Sequence, residues 1–319
     1  MSRLSRLATH GELILLAIPA ALPLVWMMST SLKPDTQIYA GSVSGGQGFS
    51  LASLIPHPAV WSNYPKALST VPFDLYLRNT LTLCLICVVG AVLSSATVAY
   101  GFARIDFRGR GVLFGLVIAT MALPGQVTMI PIFELFRSLG WYGSYLPLTA
   151  PAFAGAPFYI FLLSQFFKTL PEEMSEAARL EGAGEFRIFT RLVLPLSKPA
   201  LATCALFQFL GTWNDFMGPL IYVNDPRKYT LAYGLQQFMS AYGGQWTQLM
   251  AASIVFTLPI IVLFFFAQRT FIQGIATTGG KNQAGWAIDI WLCMRFAFLS
   301  CRAWRSSSKS SIVGSDVAK

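Results

Sequence analysis

The chain is poor in charge. Asp, Glu, Lys and Arg together make up 12% of its 319 residues, against roughly 25% in ordinary soluble domains. With 54% of residues hydrophobic, a soluble globular fold is excluded and an integral membrane protein is expected. Histidine is scarcer still. His10 and His57 stand alone and are expected on opposite sides of the membrane, so the clustered His, Asp or Glu of a membrane enzyme is absent. A phosphate-binding loop of the form G-x-x-x-x-G-K-[ST] is also missing. The nearest approach, Gly279-Gly280-Lys281-Asn282, has Asn at the last position, Ile275 where the first glycine belongs, and a membrane span before it. No ATPase is expected in this chain. Of the five cysteines, Cys84 and Cys87 have redox-motif spacing, but they sit in the apolar run Leu81 to Val89, where a thiol packs as a small hydrophobe and a metal would lack a polar surround.

Long apolar runs are what the chain has in quantity. Crossing a hydrocarbon core of about 30 Å takes about 20 apolar residues in a helix that bonds its own backbone. Six runs qualify, near 13–31, 79–102, 112–133, 148–167, 199–223 and 249–271. The first follows Arg3 and Arg6 and is short at its apolar centre, Leu13 to Met28, so an uncleaved anchor and a cleavable signal peptide are both readings of it. Its continuation through Trp26-Met27-Met28 favours the anchor.

Orientation follows from the enrichment of Lys and Arg on cytoplasmic loops. With the N-terminus inside, the inner segments carry Arg3, Arg6, Arg104, Arg108, Arg110, Lys168, Arg179, Arg187, Arg191 and Lys198. Lys33, Lys66, Arg78, Arg137, Arg227 and Lys228 are spread over a longer outer stretch. Both termini and the polar connection 168–198 are therefore expected in the cytoplasm. The formal net charge of +9 reflects this bias and a basic tail, and calls for no nucleic-acid partner.

The 168–198 connection is elaborate for a loop. Thr169-Leu170-Pro171-Glu172 predicts a capping box and a helix starting near Leu170. Glu172 and Glu173 suit the positive end of its dipole, and Gly182 with Gly184 offers a stop. Met174, Ala177 and Ala178 share one face, kept shallow by the alanines. A second short helix is predicted from Glu185 to Val193, with Phe186, Phe189 and Leu192 or Val193 as an apolar stripe and Pro195 as its end. An amphipathic linker lying on the membrane is the plain alternative.

Glu176, Ala177, Ala178, Gly182, Leu192, Leu194 and Pro195 together meet the spacing Glu-Ala-Ala, three residues, Gly, nine residues, an aliphatic residue, one residue, Leu-Pro. This resembles the signature of permease subunits of binding-protein-dependent ABC importers. Thr30-Ser31-Leu32-Lys33-Pro34, Asn79-Thr80, Trp213-Asn214-Asp215-Phe216 with Pro219-Leu220, and Thr277-Thr278-Gly279-Gly280-Lys281 are similar, in that order, to the carbohydrate branch, in particular the maltose-permease-type second subunit. The resemblance implies an all-α membrane protein with six transmembrane helices and the type I ABC importer permease fold. It further implies a non-catalytic subunit without a cofactor, in the inner membrane. The implied partners are a cytoplasmic ABC ATPase dimer that receives the helix around Glu176 to Gly182, a second permease subunit in a heterodimer, an extracytoplasmic solute-binding protein, and membrane lipid.

Polar residues within the spans are the candidate translocation path. Asn214 and Asp215 in the fifth span are functional candidates, since ionisable groups at membrane depth are costly. A structural role, with Asp215 accepting bonds from a helix end near Gly218-Pro219, is equally open. Gln165, Ser164 and Gln208 offer groups to a polyol. Pro124, Pro131, Pro151 and Pro157 mark bends around a path or ordinary kinks. The segment 224–248 is expected to meet the binding protein, and Gly41 to Gly48 reads as a flexible excursion. Residues 282–319 depart from the family. They read as an interfacial helix or as disordered residues left by a reading-frame change. An ion-coupled secondary transporter is the competing hypothesis, though such proteins often show repeated halves and intramembrane carboxylates, and only one carboxylate lies mid-span here.

Overall fold

The computed structural model describes residues 3–38, 54–240 and 243–279. The Gly41 to Gly48 excursion and the 282–319 tail lie outside the described residues. Two units divide the chain, Met1–Phe271 and Ile272–Lys319, and of the second only helical residues through Gly279 are described.

The architecture is helical, and each of the six apolar runs lies on helix. Helix α1 covers Arg3–Ser31 and begins well before the apolar run it contains. After α2, Asn63–Thr70, comes α3, Phe73–Arg104, the longest helix before the last. It starts at Phe73 instead of Asn79 because Asp74 complements the dipole in its first turn, so helix extends past the apolar stretch. The third run is two helices, α4 (Arg110–Thr120) and α5 (Gly125–Ser138), bent by 98°. Pro124 stands in the break, where its ring disfavours helix at Leu123, whereas Pro131 lies within α5.

The fourth run comprises α6 (Leu146–Thr149), a 3-10 turn at Ala150–Ala154 that contains Pro151, and α7 (Pro157–Thr169), with Gly155 at a φ of +86° between the last two. The 168–198 connection holds α8 (Glu172–Leu180) and α9 (Glu185–Ile188). The fifth run is α10 (Lys198–Trp213) and α11 (Met217–Tyr222), interrupted at Asn214 to Phe216. Then come α12 (Leu231–Gln236), a two-residue antiparallel hairpin pairing Met239–Ser240 with Gly243–Gly244, and α13 (Trp246–Gly279). Among the described residues four helices, counting the stretch Leu146–Thr169 as one, are long and apolar enough to cross a membrane, or up to six if each of two bent pairs makes one span.

Small residues bring the helices together. On α3, Gly90, Ala91, Ser95, Ala96 and Ala99 are all buried, so α7 and the turn before it approach closely, as is usual between membrane helices. A Cβ on Gly90 would lie 2.9 Å from the Phe153 ring. Backbone groups freed by the break are met by α3 serines: Ser94 Oγ donates to Ala152 O at 3.1 Å, and Ala156 N donates to Ser95 Oγ at 3.0 Å. Cys84 packs in a core with Trp213, Leu231, Ala251 and Ala252, while Cys87 Sγ bonds Leu148 O at 3.3 Å. A second core gathers α3, α7, α10 and the connection around Tyr100, Leu163, Phe167, Ile188, Phe189 and Val193.

Candidate functional site

The 168–198 connection is built from the second of these cores outward. No capping box forms at its entrance. Thr169 Oγ1 donates back to Phe166 O at 2.7 Å within the last turn of α7, and Leu170 and Pro171 are extended, at ψ of 139° and 133°. The proline is the cause, since its ring keeps the preceding residue out of helix. Helix α8 accordingly starts at Glu172, with Glu172 and Glu173 in its first turn.

Its end follows the glycine as expected. Gly182 has a φ of +82°, a conformation that glycine adopts without steric cost. Gly182 N donates to Arg179 O and Ala183 N to Ala178 O, both at 2.9 Å, the paired bonds of a Schellman motif. The Ala178 carbonyl is thereby consumed in the turn that Gly182 makes.

The seven motif residues divide into two groups. Ala178, Leu192 and Leu194 are half-buried against the core. Glu176, Ala177, Gly182 and Pro195 are exposed. The expected apolar stripe is only partly formed: Ile188, Phe189 and Val193 are buried, but Phe186 is 80% exposed, beside Leu180 at 91%. Pro195 does not end the second helix either. A π turn over Phe189–Val193 makes Leu194 N bond Phe189 O, and helix continues through Leu196. The wide turn shifts the register just where proline lacks a donor, and the chain bends by 79° into α10.

Four polar residues organise this region, and the motif reading missed the way they join. Arg104 Nη2 donates to Phe167 O and Leu170 O, both at 2.6 Å, gripping the entrance. One turn earlier on α3, the Tyr100 hydroxyl donates to Glu185 Oε2 at 2.6 Å. Glu185 Oε1 accepts from Arg179 Nε at 2.8 Å. The Arg179 bond and then the Tyr100 bond hold the Glu185 carboxyl below the usual carboxylate range, and the Arg179 guanidinium is correspondingly raised by its bond to Glu185. In sequence Tyr100 reads as one more aromatic in an apolar span, and 85 positions separate it from its partner.

Of the candidate path residues, Asp215 and Gln208 line one cavity, which Asn214 and Gln165 do not. Asp215 shares a cavity of about 240 Å³ with Gln208, Thr212, Cys87 and Thr230. Its Oδ1 accepts from Gly218 N at 2.9 Å, so the carboxylate caps α11, which is the structural role the sequence left open. Asn214 is exposed and bonds back to Leu210 O at 2.8 Å. Gln165, half-buried on α7, does not line that cavity, and Ser164 is fully buried.

The opposite end of α3 is tied to the 224–248 segment. Asn79 Nδ2 donates to Arg227 O at 2.8 Å and to Tyr229 O at 3.0 Å, and Leu231 N donates to Thr80 Oγ1 at 2.9 Å.

Residues 90–277 match the model of a family described as the binding-protein-dependent transport system inner membrane component. The chain belongs to this family. As such it is a multi-pass inner-membrane protein and the transmembrane subunit of an ABC importer, a transport role that speaks against the ion-coupled alternative. Among relatives of this importer component, a probable ABC transporter permease protein, YurM, of Bacillus subtilis is 34% identical over 271 residues, covering 85% of this chain and 87% of the relative. The arabinooligosaccharides transport system permease protein AraQ of Halalkalibacterium halodurans is 31% identical, covering 88% and 97%. The sn-glycerol-3-phosphate transport system permease protein UgpE of Yersinia pestis is 32% identical, covering 83% and 94%. A chain in the crystal structure of a bacterial ABC transporter that imports the acidic polysaccharide alginate has the same fold, with a TM-score of 0.71 at 24% identity, covering 85% of this chain and 99% of that one.

Proposed function

We propose that this permease forms half of the translocation path for a sugar or related polyol and is driven by ATP hydrolysis on a separate pair of cytoplasmic ABC ATPase subunits. Its other partners are a second, different permease and an extracytoplasmic solute-binding protein. In this reading the chain makes six spans with both termini in the cytoplasm, and the 168–198 connection faces the ATPase. The relatives' carbohydrate and glycerol phosphate substrates support the solute class. Asp215, Asn214 and Gln165 are proposed to face the path.

The observation that carries the coupling role is the construction of α8. It is closed by a left-handed glycine and seated on the core by Ala178, yet it leaves Glu176, Ala177 and the apolar Leu180 uncovered, as α9 leaves Phe186. Exposed apolar side chains on a polar loop mark a protein contact. The expected result is that Gly182→Val, which strains the left-handed position, and Glu176→Lys leave membrane insertion intact but abolish solute uptake while ATP hydrolysis continues. Uptake by the reconstituted wild-type importer without ATP hydrolysis would falsify this reading. Loss of insertion in both variants would return the loop to the role of a linker.

A further inference from the structure

The polar chain from α3 through Glu185 to α8 adds directed bonds to the packing around it. Phe189 already fixes the second half of the connection by packing its ring against Tyr100, with centroids 5.0 Å apart and planes tilted by 43°, and Ile188 is buried. On α8 only the small Ala178 side chain packs against this cluster among the described residues, which gives the helix little to grip. The Glu185 carboxylate reaches both helices, because its two oxygens bond in different directions, one to Arg179 on α8 and the other to Tyr100 on α3. Arg179 and Glu185 are 37% and 44% exposed, and an ion pair so open to water holds little by itself. The Tyr100 hydroxyl on a buried ring (5% exposed) supplies the fixed end. Arg104, on the same face of α3 one turn on, fastens the entrance of the connection to the same helix.

We propose that Arg179, Glu185 and Tyr100 form a latch that passes displacement of α8 to α3, so that Tyr100 and Glu185 are positioning residues for transport. The latch rests on the coupling reading above. A push or pull on α8 reaches its flanking spans through the chain itself. To reach α3, which is not a neighbour in sequence, it must pass through side chains, and beside the packing of Ala178 these three make a polar route from α8 itself.

The test uses the full importer, assembled with its ATPase, second permease and binding protein in liposomes. Tyr100→Phe keeps the ring and its packing against Phe189 but removes the donor. Glu185→Gln keeps the shape and removes the charge. Arg179→Glu with Glu185→Arg exchanges the pair. Each single variant is expected to retain the ATPase subunits and hydrolyse ATP near the wild-type rate, while solute moved per ATP falls by at least about fivefold, the lower end of coupling between linked sites. The exchanged pair should recover more of that ratio than Glu185→Arg alone. Wild-type stoichiometry in Tyr100→Phe and Glu185→Gln overturns the latch and leaves the coupling reading standing. Failure of the wild-type chain to bind an ATPase at all sinks both. If Glu185→Gln fails to insert, the near-isosteric Tyr100→Phe decides alone.

Discussion

A carboxylate that accepts from a guanidinium on one oxygen and a phenol on the other has strong reason to stay ionised. Glu185 is in that position, and its folded-state pKa is depressed, first by Arg179 and then by Tyr100. With a lowered folded value, the stabilising contribution is complete above the ordinary carboxylate pKa of about 4.3 and disappears as pH falls through the depressed one. Amide exchange over 179–189, corrected for intrinsic rates, should therefore be flat from neutral pH down to the ordinary carboxylate range. Below it, wild-type protection should fall to that of Glu185→Gln, which should show no such transition. A wild-type loss of protection already near pH 6 would mean that another group governs the loop. At this scale the sequence was uneven as a guide. Gly182 announced its turn, because few residues other than glycine stop a helix left-handed. Tyr100 and Glu185 announced nothing, because a bond spanning 85 positions has no local pattern.

Among the elements, hydropathy located every apolar run, and the prolines marked the breaks in two of them: the chain bends by 98° at Pro124, and the helix is interrupted between Pro151 and Pro157. An apolar count still treats Asn214 to Phe216 as interior when they lie between two helices. Motif chemistry was overruled by proline: Pro171 dissolved the capping box at Thr169, while Pro195 was absorbed by a π turn. The α10–α11 break yields an expectation of its own. Asp215 Oδ1 accepts from the Gly218 amide in the first turn of α11, so Asp215→Ala should destabilise the importer by about 1 kcal/mol, as for lost helix caps generally. Asp215→Asn, which keeps an oxygen acceptor, should cost less. Gly218→Ala should be worse than Asn, since its Cβ would stand 2.4 Å from Asp215 Oδ2 and 2.8 Å from Leu148 Cδ2. Thermal unfolding in detergent ranks the three. Equal midpoints for Ala and Asn would remove the cap from the account.

For the molecule as a whole, α3 is the member common to both candidate contact regions. Asn79 and Thr80 clamp the 224–248 segment at one end, and Tyr100 and Arg104 grip the 168–198 connection at the other. Asn79→Ala, or Asn79→Asp with no donor, is expected to leave basal ATP hydrolysis unchanged while lowering its stimulation by the solute-binding protein, as read by titrating that protein against the reconstituted importer. Unchanged stimulation would detach the Asn79 clamp from transport.

Helix α3 has 32 residues without a proline, a usual cause of a sharp kink, and runs unbroken for about 48 Å. A continuous member fastened at both ends has no preferred direction of command. In the proposed reading, whatever free energy the delivered solute contributes outside in favouring one tilt of the helix reappears, by the same factor, in the grip on the nucleotide-driven machinery inside. On that reading the importer needs no separate sensor to tell its motor that cargo has arrived, because the helix's own position carries that information.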